Sequence, residues 1–99
     1  MNEIKFDWDP NKALKNIEKH GVTFEEAITV FSDELAIIFD DPDHSQDEER
    51  SIIVGFSANA RILIVCHCLR EKGNIIRIIS ARKATRTEEK QYTDINQGW

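Results

Sequence analysis

Residues 50–81 read RSIIVGFSANARILIVCHCLREKGNIIRIISA, and this stretch decides the fold. Residues 50–56 and 61–68 are runs rich in Ile and Val, joined by Ser57-Ala58-Asn59-Ala60. Residues 75–81 make another such run, reached through Arg70-Glu71-Lys72-Gly73-Asn74. β-Branched side chains suit a pleated, half-buried surface, so each run is expected to be a strand. Links this short join antiparallel neighbours, because a parallel partner needs a long crossover. The apolar run at 35–39, ended by Asp40-Asp41-Pro42, adds a fourth strand. Residues 40–49 form an acidic loop before the meander continues.

Before the meander the period is helical. Residues 3–8 are a short alternating strand carrying Ile4, Phe6 and Trp8. Asp9-Pro10 then opens a helix, Asp9 as N-cap and Pro10 where its missing N–H costs nothing. Ala13, Leu14 and Ile17 are its expected apolar stripe, and His20-Gly21 its C-terminal stop. Thr23-Phe24-Glu25-Glu26 reads as a capping box, with Val22 and Ala27 as a hydrophobic staple. Phe24, Ala27, Ile28 and Phe31 follow at helical spacing, and the helix is expected to end near residues 32–33. Thr85-Arg86-Thr87-Glu88 is a second capping box and starts a C-terminal helix with Tyr92 and Ile95. The expected fold is α+β over a single domain, residues 1–99: a short N-terminal strand, two helices, an antiparallel meander of about four strands, and a C-terminal helix. With its helices on one face of the sheet, it makes a two-layer sandwich.

Hydrophobic residues at 40% and charged residues at 31% are enough for a packed core and exclude a disordered chain. No stretch approaches the ~18 apolar residues of a membrane helix. Residues 1–10 carry Glu3, Asp7 and Asp9, unlike a signal peptide, so a cytoplasmic protein with no membrane contact is expected. Residues 1–49 hold fourteen Asp/Glu against four Lys, a net of −10; residues 50–99 hold nine Lys/Arg against four Asp/Glu, a net of +5. An acidic chain is a poor generic nucleic-acid binder, and the split allows one basic face. Cys66 and Cys68 flank His67 and share a face of the strand, poor geometry for a disulfide and a weak metal signal. Asp41-Pro42-Asp43-His44 fails the calcium-loop template, since the sixth position is Gln46 and the twelfth is Ile52. No metal or cofactor is expected.

Several longer motifs have a resemblance. Phe6-Asp7-Trp8-Asp9-Pro10-Asn11-Lys12-Ala13 with Asn16, then Lys19-His20-Gly21-Val22 and Phe24-Glu25-Glu26-Ala27, resemble the N-terminal signature of the BrnT family of type II toxin–antitoxin systems. Asp40-Asp41-Pro42-Asp43-His44 with Glu48-Glu49-Arg50 resembles its middle section. Arg77-Ile78-Ile79-Ser80-Ala81-Arg82-Lys83-Ala84-Thr85, with Glu88-Glu89 and Tyr92, resembles its last strand and helix. The resemblance runs from about Phe6 to Tyr92. It implies a fold similar to RelE-type toxins and a ribonuclease that arrests translation. It also implies a BrnA-like antitoxin as partner in a hetero-oligomer, with operator DNA bound only through that complex. Cys66-His67-Cys68 and the tail Asn96-Gln97-Gly98-Trp99 depart from the family pattern.

RNA can be cut without a metal when the 2′-hydroxyl attacks the adjacent phosphate. That needs a base, a cation for the phosphorane charge and an acid for the leaving oxygen. Arg61, His67, Arg77, Arg82 and Tyr92 are the catalytic candidates, and Arg50, Lys83 and Arg86 the candidate RNA contacts. Period two puts Arg61, Leu63, Val65 and His67 on one face, Arg77 with Ile75 and Ile79, and Arg82 with Ile76 and Ile78. Which Arg joins His67 stays open. So do structural readings: an ion pair for Arg77, solvation for Arg82 and Lys83, packing for His67 and Tyr92, capping for His20. A non-catalytic interaction module, acting with a DNA-binding partner in operon autoregulation, is the alternative function.

Overall fold

The computed structural model describes residues 4–41 and 50–97, the side chain of Lys72 excepted. The elements are β1 (Lys5–Asp7), α1 (Pro10–His20), α2 (Phe24–Thr29) with a 3-10 turn Val30–Ser32, and β2 (Ile37–Asp40). β3 (Arg50–Phe56), β4 (Ile62–Arg70), β5 (Ile75–Lys83) and α3 (Arg86–Asn96) follow. The acidic segment 42–49, with His44, lies outside the described residues.

The meander forms as expected: β2, β3, β4 and β5 pair antiparallel in sequence order. β1 adds to the outer edge of β5 in parallel, so the sheet is mixed, in the order β1-β5-β4-β3-β2. α1 and α2 lie over one face, on a core that includes Phe24, Ala27, Ile53, Leu63, Val65 and Ile78. The expectation of two layers is corrected here. α3 lies over the opposite face, where Tyr92 packs with Val54, Ile62 and Ile64. Ile62, Leu63, Ile64 and Val65 are all buried. A strand apolar on both faces needs cover on both sides, and α3 supplies the second layer of cover.

The helix caps form locally. The Asp9 carboxylate accepts from the Asn11 amide at 2.8 Å, and Gly21 closes α1 at φ 68°. Of the expected stripe on α1, only Ala13 packs against the core. Leu14 is 62% exposed and Ile17 is also exposed, whereas Asn16 is buried. The reason lies at the sheet edge. β1 covers β5 only from Ile75 to Arg77. Beyond it, the Asn16 side chain accepts from the Ala81 amide at 3.1 Å and donates to the Ala81 carbonyl at 2.8 Å. It also donates to the Val22 carbonyl at 2.9 Å. One side-chain amide thus replaces a missing strand and fixes α1 against β5.

Asp33 does the same at the other side, where β2 has not yet begun. It accepts from the Phe56 amide at 2.8 Å, the Leu35 amide at 2.9 Å and the Tyr92 hydroxyl at 2.6 Å. Gly55 makes room for it: a Cβ there would stand 2.9 Å from Asp33 Oδ2. The Tyr92 bond ties α3 to this edge, and Phe56 packs edge-on against the Tyr92 ring.

Asn16→Ala leaves the Ala81 amide and carbonyl buried without partners. It is expected to lower unfolding free energy by about 2–3 kcal/mol, read from urea denaturation midpoints. A change within 0.5 kcal/mol of wild type, the range of ordinary surface substitutions, would refute this role.

Candidate functional site

The faces of β5 are set by an irregularity. Cys66 pairs with Ser80, but His67 pairs with Ile78, so β5 carries one residue, Ile79, more than β4 across this step. A β-bulge of this kind shifts the alternation of every later residue. Ile76, Ile78 and Ala81 therefore all point into the α1–α2 core. Arg77, Ser80 and Arg82 come to the opposite face with their partners Cys68, Cys66 and Ile64. Strict alternation had put Arg77 and Arg82 on opposite faces; the bulge corrects this and brings them together.

Register then gives two rows across the sheet. Arg50, Cys68, Arg77 and Asp7 are successive neighbours on β3, β4, β5 and β1. Ile37, Val54, Ile64 and Arg82 form a second row from β2 to β5. Strands lie about 4.8 Å apart, so Arg50 and Arg77 start roughly 10 Å from each other across Cys68. Three arginines, one from β3 and two from β5, thus share the α3 side of the sheet.

Arg77 and Arg82 each pair with a carboxylate. Arg77 Nη1 lies 3.3 Å from Asp7 Oδ1, with side chains 33% and 45% exposed. This pair is long, single-contact and half in solvent, the kind that contributes little and exchanges easily. Arg82 is held more firmly: Nη1 and Nη2 donate to the two Glu88 oxygens at 2.8 and 2.9 Å. Glu88 also completes the Thr85 capping box, so Arg82 anchors the start of α3. The Arg82 fork, with the Thr85 amide, holds the Glu88 carboxyl at about 2 against burial.

The other candidates do not join this face as reactive groups. Arg61 lies across the molecule, where its Nε donates to Glu26 Oε2 at 2.8 Å and its Nη2 to Glu26 Oε1 and the Gly21 carbonyl. Ser57 donates to the same Glu26 at 2.7 Å. The Thr23 capping box is therefore only half made. Thr23 accepts the Glu26 amide, but the Glu26 carboxylate turns to Arg61, because a two-point charged pair outcompetes one amide. His67 is 3% exposed on the α1–α2 side, edge-on to Phe31 at 5.0 Å. Burial pushes its pKa down, so it stays neutral at pH 7. Tyr92 is buried, and burial together with its bond to Asp33 pushes its hydroxyl up to about 12. Lys83 and Arg86 are exposed near the junction of β5 and α3. Burial, and Asp41 at 3.4 Å, push the Cys66 thiol up to about 11, so it is no ready nucleophile. Among the described residues no group of three His, Cys, Asp or Glu is placed to hold a metal ion, and no helix is long and apolar enough to cross a membrane.

The acidic partners were the part that sequence reasoning missed. Glu26 was legible as a cap but not as the partner of Arg61, thirty-five residues away. Asp7 was legible only as a polar position in a short strand.

The pH dependence of stability follows. Glu26, hydrogen-bonded by Arg61, and Glu88, hydrogen-bonded by Arg82, are lowered from 4.5 to about 2. Depressed carboxyls stabilise fully above their unfolded pKa, and that contribution is lost as pH falls from about 4.5 toward 2. Denaturation midpoints are expected to hold from pH 7 to 5 and then drop, with a shallower drop in Glu26→Gln. Equal acid slopes in the two proteins would show that Glu26 is not responsible. Arg61→Ala, which strands the buried Glu26 carboxylate, is expected to cost about 2–4 kcal/mol in the same assay.

A family model described as "Ribonuclease toxin, BrnT, of type II toxin-antitoxin system" matches residues 8–88. Among solved structures, the crystal structure of the Brucella abortus ribonuclease toxin BrnT is similar, with a TM-score of 0.65 and 26% identity. The match covers 85% of this chain and 100% of that one. No curated protein sequence matches. A family match over most of the chain, on a shared fold, places this protein in the BrnT family of ribonuclease toxins of type II toxin–antitoxin systems.

Proposed function

We propose that this chain is a metal-independent endoribonuclease that cleaves RNA in the cytoplasm, halts translation, and is neutralised by a BrnA-like antitoxin. The observation that carries the reading is the bulge at Ile79, which sets Arg77 and Arg82 on the face that also bears Arg50. In the cleavage, the 2′-oxygen bonds to phosphorus and gives its proton to a base. The 5′-oxygen leaves and takes a proton from an acid. Two guanidinium groups at the phosphate carry the charge that builds on the non-bridging oxygens.

Arg77 is the primary phosphate ligand in this scheme. Its contact to Asp7 is loose enough for a phosphate to replace. Arg82 stands second, with its Glu88 fork aiming the guanidinium. Arg50 and Arg86 contact the RNA backbone on either side; Lys83, paired with core residue Leu63, starts from the other face and reaches it only around the end of β5. Arg61, His67 and Tyr92 act through the frame, since each is paired or buried. The chain carries a net charge of −5, which favours contact with operator DNA through the antitoxin complex and not alone.

Purified chain is expected to cleave bulk RNA in EDTA. Arg77→Ala should slow cleavage on the order of 100–1,000-fold, a typical cost for one transition-state donor, with an unchanged melting temperature. Arg82→Lys, which keeps a cation beside Glu88, should cost less than Arg82→Ala. Intact RNA after long incubation with folded protein would sink the nuclease reading and leave the interaction module.

A further inference from the structure

Cleavage needs a group that takes the proton of the 2′-hydroxyl, and Arg77 has one beside it. Phe6 and Trp8 pack against the α1–α2 core, so Asp7 between them points to the opposite face of β1. Parallel pairing sets it against Arg77. Its half-exposed carboxylate accepts from Arg77 Nη1 at 3.3 Å through Oδ1, and among the described residues Oδ2 has no donor. The other N–H groups of the Arg77 guanidinium have no acceptor among those residues either. Further cations share this side: Lys5 lies two residues back on β1, and Arg70 of β4 stands in the row of Ile75 and Lys5. The neighbouring Asp9 is turned to the Asn11 amide.

Other carboxylates near the arginines are committed. Both Glu88 oxygens hold the Arg82 fork. Asp33 takes three hydrogen bonds at the β3 edge. Asp41 Oδ2 accepts from the Cys66 thiol at 3.4 Å. Asp40 lies in the row of Ser51 and His67, on the core face. A phosphate that engages Arg77 by two points outcompetes one long contact and frees the Asp7 carboxylate. It also brings the attacking 2′-hydroxyl, which stands about 3–3.5 Å from phosphorus in a reactive pose. We propose that Asp7 is the general base of the cleavage, taking the 2′-hydroxyl proton while Arg77 holds the phosphate. The 2′-oxygen bonds to phosphorus as its proton passes to the carboxylate. The bond from phosphorus to the 5′-oxygen breaks, and that oxygen takes a proton from water. Asp7 then gives its proton to solvent, and the products carry a 2′,3′-cyclic phosphate and a 5′-hydroxyl. This rests on the reading of the Arg77 face as the RNA site.

Asp7→Asn separates a base from a mere partner of Arg77. The amide oxygen still accepts from Arg77, but it cannot take a proton. Turnover of RNA by the full chain is expected to fall on the order of 100-fold or more in Asp7→Asn, the share of a general base, and as far in Asp7→Ala. The melting temperature should stay, since an exposed pair contributes little. Affinity for 2′-O-methyl RNA, which has no proton to give and is not cut, should equal or exceed wild type, because no anion competes for Arg77. Arg77→Ala should weaken that affinity, and Asp41→Asn should leave turnover close to wild type. Near-wild-type turnover in Asp7→Asn with slow Asp7→Ala makes Asp7 a positioning residue and overturns the proposal. Slow turnover in Asp41→Asn alone moves the base to Asp41 and overturns it too. Slow Asp7→Asn with weakened 2′-O-methyl RNA binding marks a damaged RNA site and does the same. In those three results wild-type chain still cuts RNA, so the nuclease reading stands; wild-type chain that cuts none overturns both.

Discussion

β5 inserts Ile79 where β4 has no partner for it, between the Cys66–Ser80 and His67–Ile78 pairs. A sheet strand has only two sides, so one extra residue moves every later side chain across. Without it, Ile76 and Ile78 could face the α1–α2 core only by turning Ala81 out and Arg82 in. With it, Ile76, Ile78 and Ala81 all serve that core, and Arg77 and Arg82 reach the other face. The core and the candidate site are two consequences of one register shift. Bulges are over-represented beside functional sites because they re-aim a side chain at little cost to the ladder.

The layers around that sheet are held by a few polar side chains with several duties each. Asn16 and Asp33 complete the strand edges that β1 and β2 leave open. Glu26 gives its amide to the Thr23 cap of α2 and clamps Arg61 with its carboxylate. Glu88 caps α3 and holds Arg82. Because Arg61 and Arg82 carry structural roles, a basic count overstates the positive charge that the fold leaves uncommitted. Of the paired Arg61, Arg77 and Arg82, Arg77 is held most loosely, by a long, half-exposed contact to Asp7.

Local chemistry alone determined a large part of this protein. Asp9-Pro10, Gly21, the Thr85–Glu88 box and the Ile/Val runs specified helix ends, strands and the meander, because these depend on neighbours within a few residues. The long motifs marked the family. Tertiary structure decided the rest. Whether α3 covers the same face as α1 depends on which side of β4 is left bare, and both sides read as apolar. Leu14 and Ile17 looked like a core stripe, but the helix turned Asn16 inward, since an uncovered strand edge needs hydrogen bonds more than a leucine needs burial. The bulge, and with it the company that Arg77 keeps, has no signature in Ile75-Ile76-Arg77-Ile78-Ile79-Ser80-Ala81. It arises from the fit of that strand between two cores, a constraint that exists only once the sheet is assembled.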